Sequence, residues 1–387
     1  MWKRKIPLAW LQLSREKARM GVAIAGIAFA DVLMFLQLGI REALFDGAVQ
    51  LHNSLEGEIV LVSSRYKALI SLDQFSQRRL YQALGFTGVQ SVSPIYLDSI
   101  PWKNPDNQQT WRIFAIGFNP EEKVVNLTGV QDNLNYLKEP DTVLFDRGSR
   151  KEFGNIVSHF ENNNGVTTEL NNRQINVVGL FRLGTSFGVN GNIITSDVNF
   201  LRLFANKRRK KGLIDFGLIK LEPDADVNWV IANLKANLPN DVQVLSKQEF
   251  VAKEKSFWNT STPVGFTFTL GAIIGFVVGA VIVYQILYSD VSDHLPEYAT
   301  LKAIGFKNNY LLVIVFQEAL ILAAIGFIPG FAISQGLYFM TRQATLLPII
   351  MTVDRAIFIF ILTTLMCSIS ALIAMQKLQA ADPADVF

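Results

Sequence analysis

The chain has 387 residues, half of them hydrophobic, with a mean hydropathy of +0.26 and a formal net charge of +3. That hydropathy is high for a water-soluble protein and low for one built of membrane spans alone, and no basic stripe interleaved with aromatics points to nucleic acid. The single cysteine, Cys367, excludes an internal disulfide and any CxxC metal site.

Residues 1–19 are expected to form a cytoplasmic amphipathic helix. I-P-L-A-W-L-Q-L-S-R-E-K-A-R puts Trp10 at headgroup depth and basic residues toward lipid phosphates. Residues 20–40 follow as an apolar window that meets the requirement for a bilayer span, about 20 residues for a core of about 30 Å. This window carries Asp31. Ala28, Phe29 and Ala30 resemble a signal-peptidase site, but the apolar pattern resumes at once, so a retained first transmembrane helix is expected.

From Arg41 to Thr262 the chain holds 25 Lys or Arg and 24 Asp or Glu, whereas the 125 residues from Pro263 onward hold 5 and 7. The charge-rich middle therefore reads as a folded domain in water. Strand-length apolar runs recur at 58–62, 111–118, 174–181, 191–195 and 216–221, separated by turn signals such as N-P, G-V-N-G and E-P-D. Helical spacing marks 72–84 and 226–238, where Val227, Val230, Leu234 and Leu238 share a face. The expectation for 41–262 is a mixed, two-part α+β domain. Its ends, 41–55 and 246–258, read as helical continuations of the neighbouring spans. The run K-R-R-K-K at 207–211 is either a solvated loop or a surface for an anionic partner.

No phosphate-binding G-x-x-x-x-G-K-[ST] loop, H-E-x-x-H or G-x-S-x-G elbow occurs. His52, His159 and His294 are scattered and read as solvated surface residues. No catalytic residue, metal site or cofactor bound by the chain is expected.

Three further spans follow, at 263–288, 310–340 and 356–376, with a charged segment at 289–309, a short loop at 341–355 and a tail at 377–387. Gly271, Gly275 and Gly279 recur every four residues and let a helix approach closely, either within this chain or in a dimer. Gly326 and Gly330 bracket Pro329, where a bend is expected. Asp31 and Glu318 are costly facing lipid. Glu318 is expected close enough to the cytoplasmic edge to reach water or the charged segment, and Asp31 is expected to face protein, in a structural or a proton-coupling role. Nine basic residues (Lys3, Arg4, Lys5, Arg15, Lys17, Arg19, Lys302, Lys307 and Lys377) oppose Arg342 and Arg355 on the other side. By the positive-inside rule both termini and the charged segment are cytoplasmic, and 41–262 is extracytoplasmic, in a multi-pass plasma (inner) membrane protein.

The charged segment reads D-H-L-P-E-Y-A-T-L-K-A-I-G-F. Ser292 or Asp293 can cap a short helix, Pro296 is tolerated in its first turn, and Gly305 suits a left-handed stop. Tyr298, Leu301 and Ile304 would then share a face flanked by Glu297 and Lys302, either an apolar knob for another protein or a simple connector.

One span, a large domain, then three spans with E-Y-A-T-L-K-A-I-G-F after the second resembles the MacB/FtsX-like permeases of ABC transporters. S-S-R-Y-K at 63–67, T-V-L-F-D-R-G-S-R-K-E-F-G at 142–154, V-V-G-L-F and the closing L-Q-A-A-D-P-A-D-V-F carry the likeness along nearly the whole chain. S-S-R-Y-K and the length look most like the cyanobacterial DevC branch. The resemblance implies a non-enzymatic permease subunit that works with a separate ABC ATPase, in which ATP and Mg are bound, and with a second copy of itself. It further implies a periplasmic membrane-fusion adaptor and an outer-membrane channel, export of glycolipid or another amphipathic molecule, and transmission of ATP-driven motion to the outer domain. On it, residues 297–306 become the ATPase-coupling loop. A lipoprotein-releasing or cell-division-type regulator of the same family, or a membrane receptor or scaffold, are the alternatives.

Overall fold

The computed structural model describes residues 10–380, apart from 11, 12, 14, 163, 164, 187, 205–211 and 307. The K-R-R-K-K run, the basic N-terminal residues Lys3, Arg4 and Lys5, Lys307 and the D-P-A-D-V-F tail therefore lie outside the described residues. The chain divides into two compact units. One comprises the described residues of Met1–Ala43, Pro263–Thr345 and Ile349–Phe387; the other comprises Leu44–Thr262 with Leu346–Pro348.

The first unit is helical. Its four helices, Lys17–Ala48, Pro263–Asp293, Asn308–Thr345 and Val353–Ala380, are the first to fourth spans, each long and apolar enough to cross a bilayer. Ile27, Val283, Leu287, Val315, Leu322 and Met366 are buried where they meet. Large apolar side chains also cover the outside: Phe266, Ile273, Val281, Phe339, Val353 and Ile361 are all more than half exposed. In water so broad an apolar surface would aggregate, whereas in lipid it is the surface that costs least. Pro329 sits inside the third span without ending it. Nearby, Ser334 Oγ donates to the Gly330 carbonyl at 2.7 Å.

The second unit is sheet-rich. In chain order its strands are β1 (Ile59–Ser63), β2 (Phe75–Ser76), β3 (Val89–Lys103), β4 (Thr110–Phe118), β5 (Thr142–Asp146) and β6 (Val166–Leu170). They continue as β7 (Arg173–Phe181), β8 (Asn192–Ser196), β9 (Leu213–Ile214), β10 (Phe216–Leu221) and β11 (Val242–Ser246). Nine of them join in the order β11-β1-β10-β3-β4-β8-β5-β7-β6, and β6 also pairs with β3, so the second part closes on itself. The long strand β3 is the shared element. Its first half pairs with β10, through Ile95↔Phe216, and its second half with β4, from Tyr96↔Gly117 to Lys103↔Thr110.

Pro94 and Pro101 sit inside β3, where a ladder donor would be missing. Each falls where one side of β3 has no strand. Pairing with β4 starts only at Tyr96, beyond Pro94; pairing with β10 has ended at Ile95, before Pro101, and pairing with β6 begins at Trp102. The expected helix at 226–238 is present as Val227–Asn237, capped by the Asp226 side chain, with Val230 and Leu234 buried. Within 72–84 the helix occupies Gln77–Ala83 and is preceded by β2.

The two expected helical continuations differ. The first span runs unbroken to Ala48. Before the second span, the capped helix Lys247–Ser256 passes into a π-helical turn, Phe257–Ser261, and then Thr262 turns extended (φ −122°, ψ 155°). Pro263 dictates that break, because a residue before proline is pushed out of the helical region.

Candidate functional site

The segment between the second and third spans is helical almost throughout. The second span ends at Asp293 and the helix Leu295–Ala303 begins two residues later. The Ser292 hydroxyl donates back to the Tyr288 carbonyl at 2.6 Å, and Asp293 is engaged by Arg19. The expected stop is present. Gly305 takes φ +103°, and the Phe306 N–H donates to the Leu301 carbonyl at 3.1 Å, the six-to-one bond of a Schellman ending.

This geometry redistributes the apolar face. Tyr298 is 2% exposed and packs into the bundle core, and Leu301 rests half-buried against the same cluster. Ile304 is 71% exposed, beside exposed Gly305, and Glu297 is exposed about two turns earlier. Phe306 is exposed as well, its ring 4.8 Å from that of Tyr310. The surface available to another protein is thus Ile304 and Phe306, whereas Tyr298 anchors the segment to its own bundle. The Lys302 side chain lies outside the described residues.

The small-residue stripe packs inside the chain. A methyl group at Gly271 would meet Gln37 at 2.5 Å, at Gly275 Leu33 at 3.2 Å, and at Gly279 both Met366 at 2.4 Å and Ala30 at 2.6 Å. Gly326 faces Ile27 at 2.7 Å and Gly330 faces the Asp31 Cβ at 2.8 Å. Close approach to the first and fourth spans occupies these positions.

Asp31 is fully buried and accepts a hydrogen bond from Thr363 Oγ1 on the fourth span. Glu318 is fully buried too; of the two expectations it does not reach water, because the third span turns it toward Asp290 at the end of the second. Asp290 itself is 7% exposed and accepts from Arg19 Nη1 at 3.4 Å.

The histidines, expected at the surface, divide. His159 is exposed and pairs with Asp106 at 2.9 Å. His52 is fully buried, its ring 4.3 Å from Phe250 and its Nε2 3.5 Å from the Glu254 carboxylate. Glu254 also accepts from the Tyr66 hydroxyl, the Leu69 N–H and Trp258 Nε1 at 2.9–3.0 Å. Burial, and then the adjacent Glu254 charge, push the Tyr66 phenol further up from its ordinary value. The network is a polar anchor for the helix Lys247–Ser256 that isolated histidines gave no means of finding.

An open groove of about 1060 Å³ runs past Glu58, Lys220, Asn228 and Lys247 in the sheet unit. Lys247 donates to the Leu55 carbonyl and Lys255 to Asp46, so two of its three lysines are already used by the protein. Among the described residues no group of three or more His, Cys, Asp or Glu could hold a metal ion.

Residues 268–383 match the FtsX-like permease C-terminal family. Two solved structures are similar to the chain. The periplasmic region of MacB from Actinobacillus actinomycetemcomitans is 14% identical with a TM-score of 0.34, over 51% of this chain and 92% of that one. The extracellular domain of the noncanonic ABC-type transporter YknZ from Gram-positive bacteria is 13% identical with a TM-score of 0.32, over 49% of this chain and 98% of that one.

Proposed function

We propose that this chain is the permease subunit of an ABC transporter, that a separate cytoplasmic ATPase docks on the segment between the second and third spans, and that two copies work together. The observation that carries this reading is the match of residues 268–383 to the FtsX-like permease C-terminal family, whose segment includes an exposed apolar tip, Ile304 and Phe306, beside Glu297. A short helix held to its own bundle by Tyr298, with Ile304 left bare, can transmit a push because its base is packed and its tip is free to enter a groove. ATP and Mg act in the partner, and this chain performs no hydrolysis. Both termini and residues 289–309 lie in the cytoplasm, with 41–262 outside.

The finer reading is an exporter of glycolipid or another amphipathic molecule, of the DevC type, with a periplasmic adaptor and an outer-membrane channel. Motion would pass to the outer domain along the first span, which is one helix from Lys17 to Ala48, a stiff element suited to rigid-body tilting. The extended break at Thr262 leaves the approach to the second span a hinge instead of a second lever.

The test is co-purification from native membranes. Wild type should bring down an ABC ATPase, and Ile304→Asp should lose it while keeping its melting temperature, since the charge stays in water until docking buries it. Retention of the ATPase by Ile304→Asp would leave the segment a connector. Cysteines at Asn162 and Asn308, in a Cys367→Ala background, should label from outside and inside respectively. Labelling from one side only would overturn the topology.

A further inference from the structure

Glu318 is the group that the permease reading leaves unexplained. It is 0% exposed in the third span, and neither carboxylate oxygen has a hydrogen-bond partner among the described residues. The charged group facing it is another carboxyl, Asp290 of the second span, 7% exposed, whose Oδ2 is likewise without a partner. The other oxygen of Asp290 points to the basic side: Arg19 Nη1 lies at 3.4 Å and His294 Nδ1 at 3.7 Å.

One guanidinium cannot neutralise this cluster. Arg19 is shared with Glu16 at 2.6 Å and with Asp293, and His294 already points its Nδ1 at the Asp290 carbonyl at 3.0 Å. Glu16 just before the first-span helix, Arg19 on it, Asp293 and His294 at the end of the second, and the buried Tyr298 in the adjoining core, with Tyr284, Tyr288 and Cys367 in the same cluster, are the titratable groups around this junction. Two facing carboxylates inside a helix bundle cannot both stay ionised, because each disfavours the charge of the other and neither is solvated.

From this geometry we infer that Glu318 and Asp290 form a proton-binding site, holding one proton between them on Glu318 while Asp290 stays ionised against Arg19. The protonated Glu318 donates to Asp290 Oδ2, which gives that atom and one Glu318 oxygen a partner. Loss of the proton to solvent base puts two like charges at the junction of the second and third spans, Asp290 lying four residues before His294 and five before the start of the helix Leu295–Ala303, and so loosens the base of that helix. The ligand is a proton, and the site is independent of whether any ATPase binds.

The experiment uses the full chain in lipid nanodiscs without partners. Infrared spectra at neutral pH should show the carbonyl stretch of a protonated carboxylic acid that is lost in Glu318→Gln, with Asp31→Asn recorded in parallel to identify any contribution from Asp31. Protection of the amides of residues 289–306, taken relative to their intrinsic exchange rates, should fall as pH rises in wild type and stay constant in Glu318→Gln, whose amide mimics the protonated acid. Identical infrared spectra for wild type and a folded Glu318→Gln protein would overturn the proposal. Should Glu318→Gln fail to fold, Asp290→Asn decides: it must change the pH at which the band disappears, and an unchanged titration would equally refute the shared site.

Discussion

The guanidinium of Arg355, at the start of the fourth span, donates through Nη2 to the carboxylate of Glu42 on the first span. The same group donates from Nη1 to the Ile350 carbonyl at 2.7 Å and lies 5.7 Å from the centre of the Tyr338 ring. Tyr338 in turn donates its hydroxyl to the Phe35 carbonyl, so three spans are tied at one end of the bundle.

The two ends of that pair are unequal: the Arg355 side chain is 6% exposed and that of Glu42 is 51% exposed. Replacing Arg355 by Met leaves a carboxylate that water can solvate, whereas replacing Glu42 by Ala leaves a buried cation short of its counter-charge. Glu42→Ala should therefore cost about 2 kcal/mol and Arg355→Met about 1 kcal/mol, as read from detergent-solubilised melting curves. The opposite order would show that the pair is not a buried-charge problem.

Asp146 organises the loop after β5. Its carboxylate is fully buried and accepts from the N–H groups of Gly148, Leu183 and Gly184 and from Asn192 Nδ2, all at 2.8–3.0 Å. Asparagine here turns an NH₂ toward donors and, in either orientation, leaves two of the four unmatched. Asp146→Asn should lose about 2–3 kcal/mol, with hydrogen exchange faster at Gly148, Leu183 and Gly184. Unchanged protection at those amides would refute the role.

How far the sequence reached depends on whether a feature is local. The four spans were legible because a long apolar run with almost no charge has few other fates. Strand β10 at 216–221 was read with its observed bounds for a similar reason, a short apolar run between turn signals. Strand β3, the longest, was missed because Pro94 and Pro101 argue against a central strand unless the pairing on each side is known. Tyr298 and Ile304 looked equivalent, since spacing groups residues on a helix face but does not say which part of that face meets the bundle. Glu318 and His52 failed likewise, their burial being decided by Asp290 and by Phe250 and Glu254, far away in sequence.

Asp106 should give the sheet unit an acid-sensitive corner. Its Oδ2 accepts the Asn155 N–H at 2.8 Å and its Oδ1 faces His159 Nε2 at 2.9 Å. The Asn155 N–H first, and then His159, hold this carboxyl below the usual carboxylate range. A depressed folded-state pKa means the stabilisation is complete above the unfolded value of about 4 and is lost as pH falls through the lower folded value. Amide protection in the helix Ile156–Glu161, taken relative to intrinsic rates, should accordingly fall below about pH 4 in wild type. Asp106→Asn should show weaker protection at neutral pH and no acid step. An acid step that survives the substitution would assign it to another group.

The glycines of the spans should fall into two classes when replaced by alanine. In an open helix the change is favourable, because alanine loses less backbone entropy on folding, by about 0.5–1 kcal/mol. Gly21 and Gly336 have nothing within 4 Å of an added methyl group and belong to that class. At Gly279 the methyl group would lie 2.6 Å from the Ala30 Cβ and 2.4 Å from the Met366 sulfur. Met366 is fully buried and can swing little, and Ala30 cannot yield without moving the first span. Overpacking of this kind costs about 1–3 kcal/mol, which exceeds the helix gain. Gly271 lies between the classes, since the Gln37 amide at 2.5 Å is the end of a flexible, half-exposed side chain. Melting temperatures of the purified chain should rank Gly21→Ala and Gly336→Ala at or above wild type, Gly271→Ala near it, and Gly279→Ala clearly below. Crosslinked dimer yield should be unaffected by Gly271→Ala, because the stripe packs inward. If Gly279→Ala matches wild type in stability but loses dimers, the stripe faces a second copy and the packing of the first, second and fourth spans described above is not the one the protein uses.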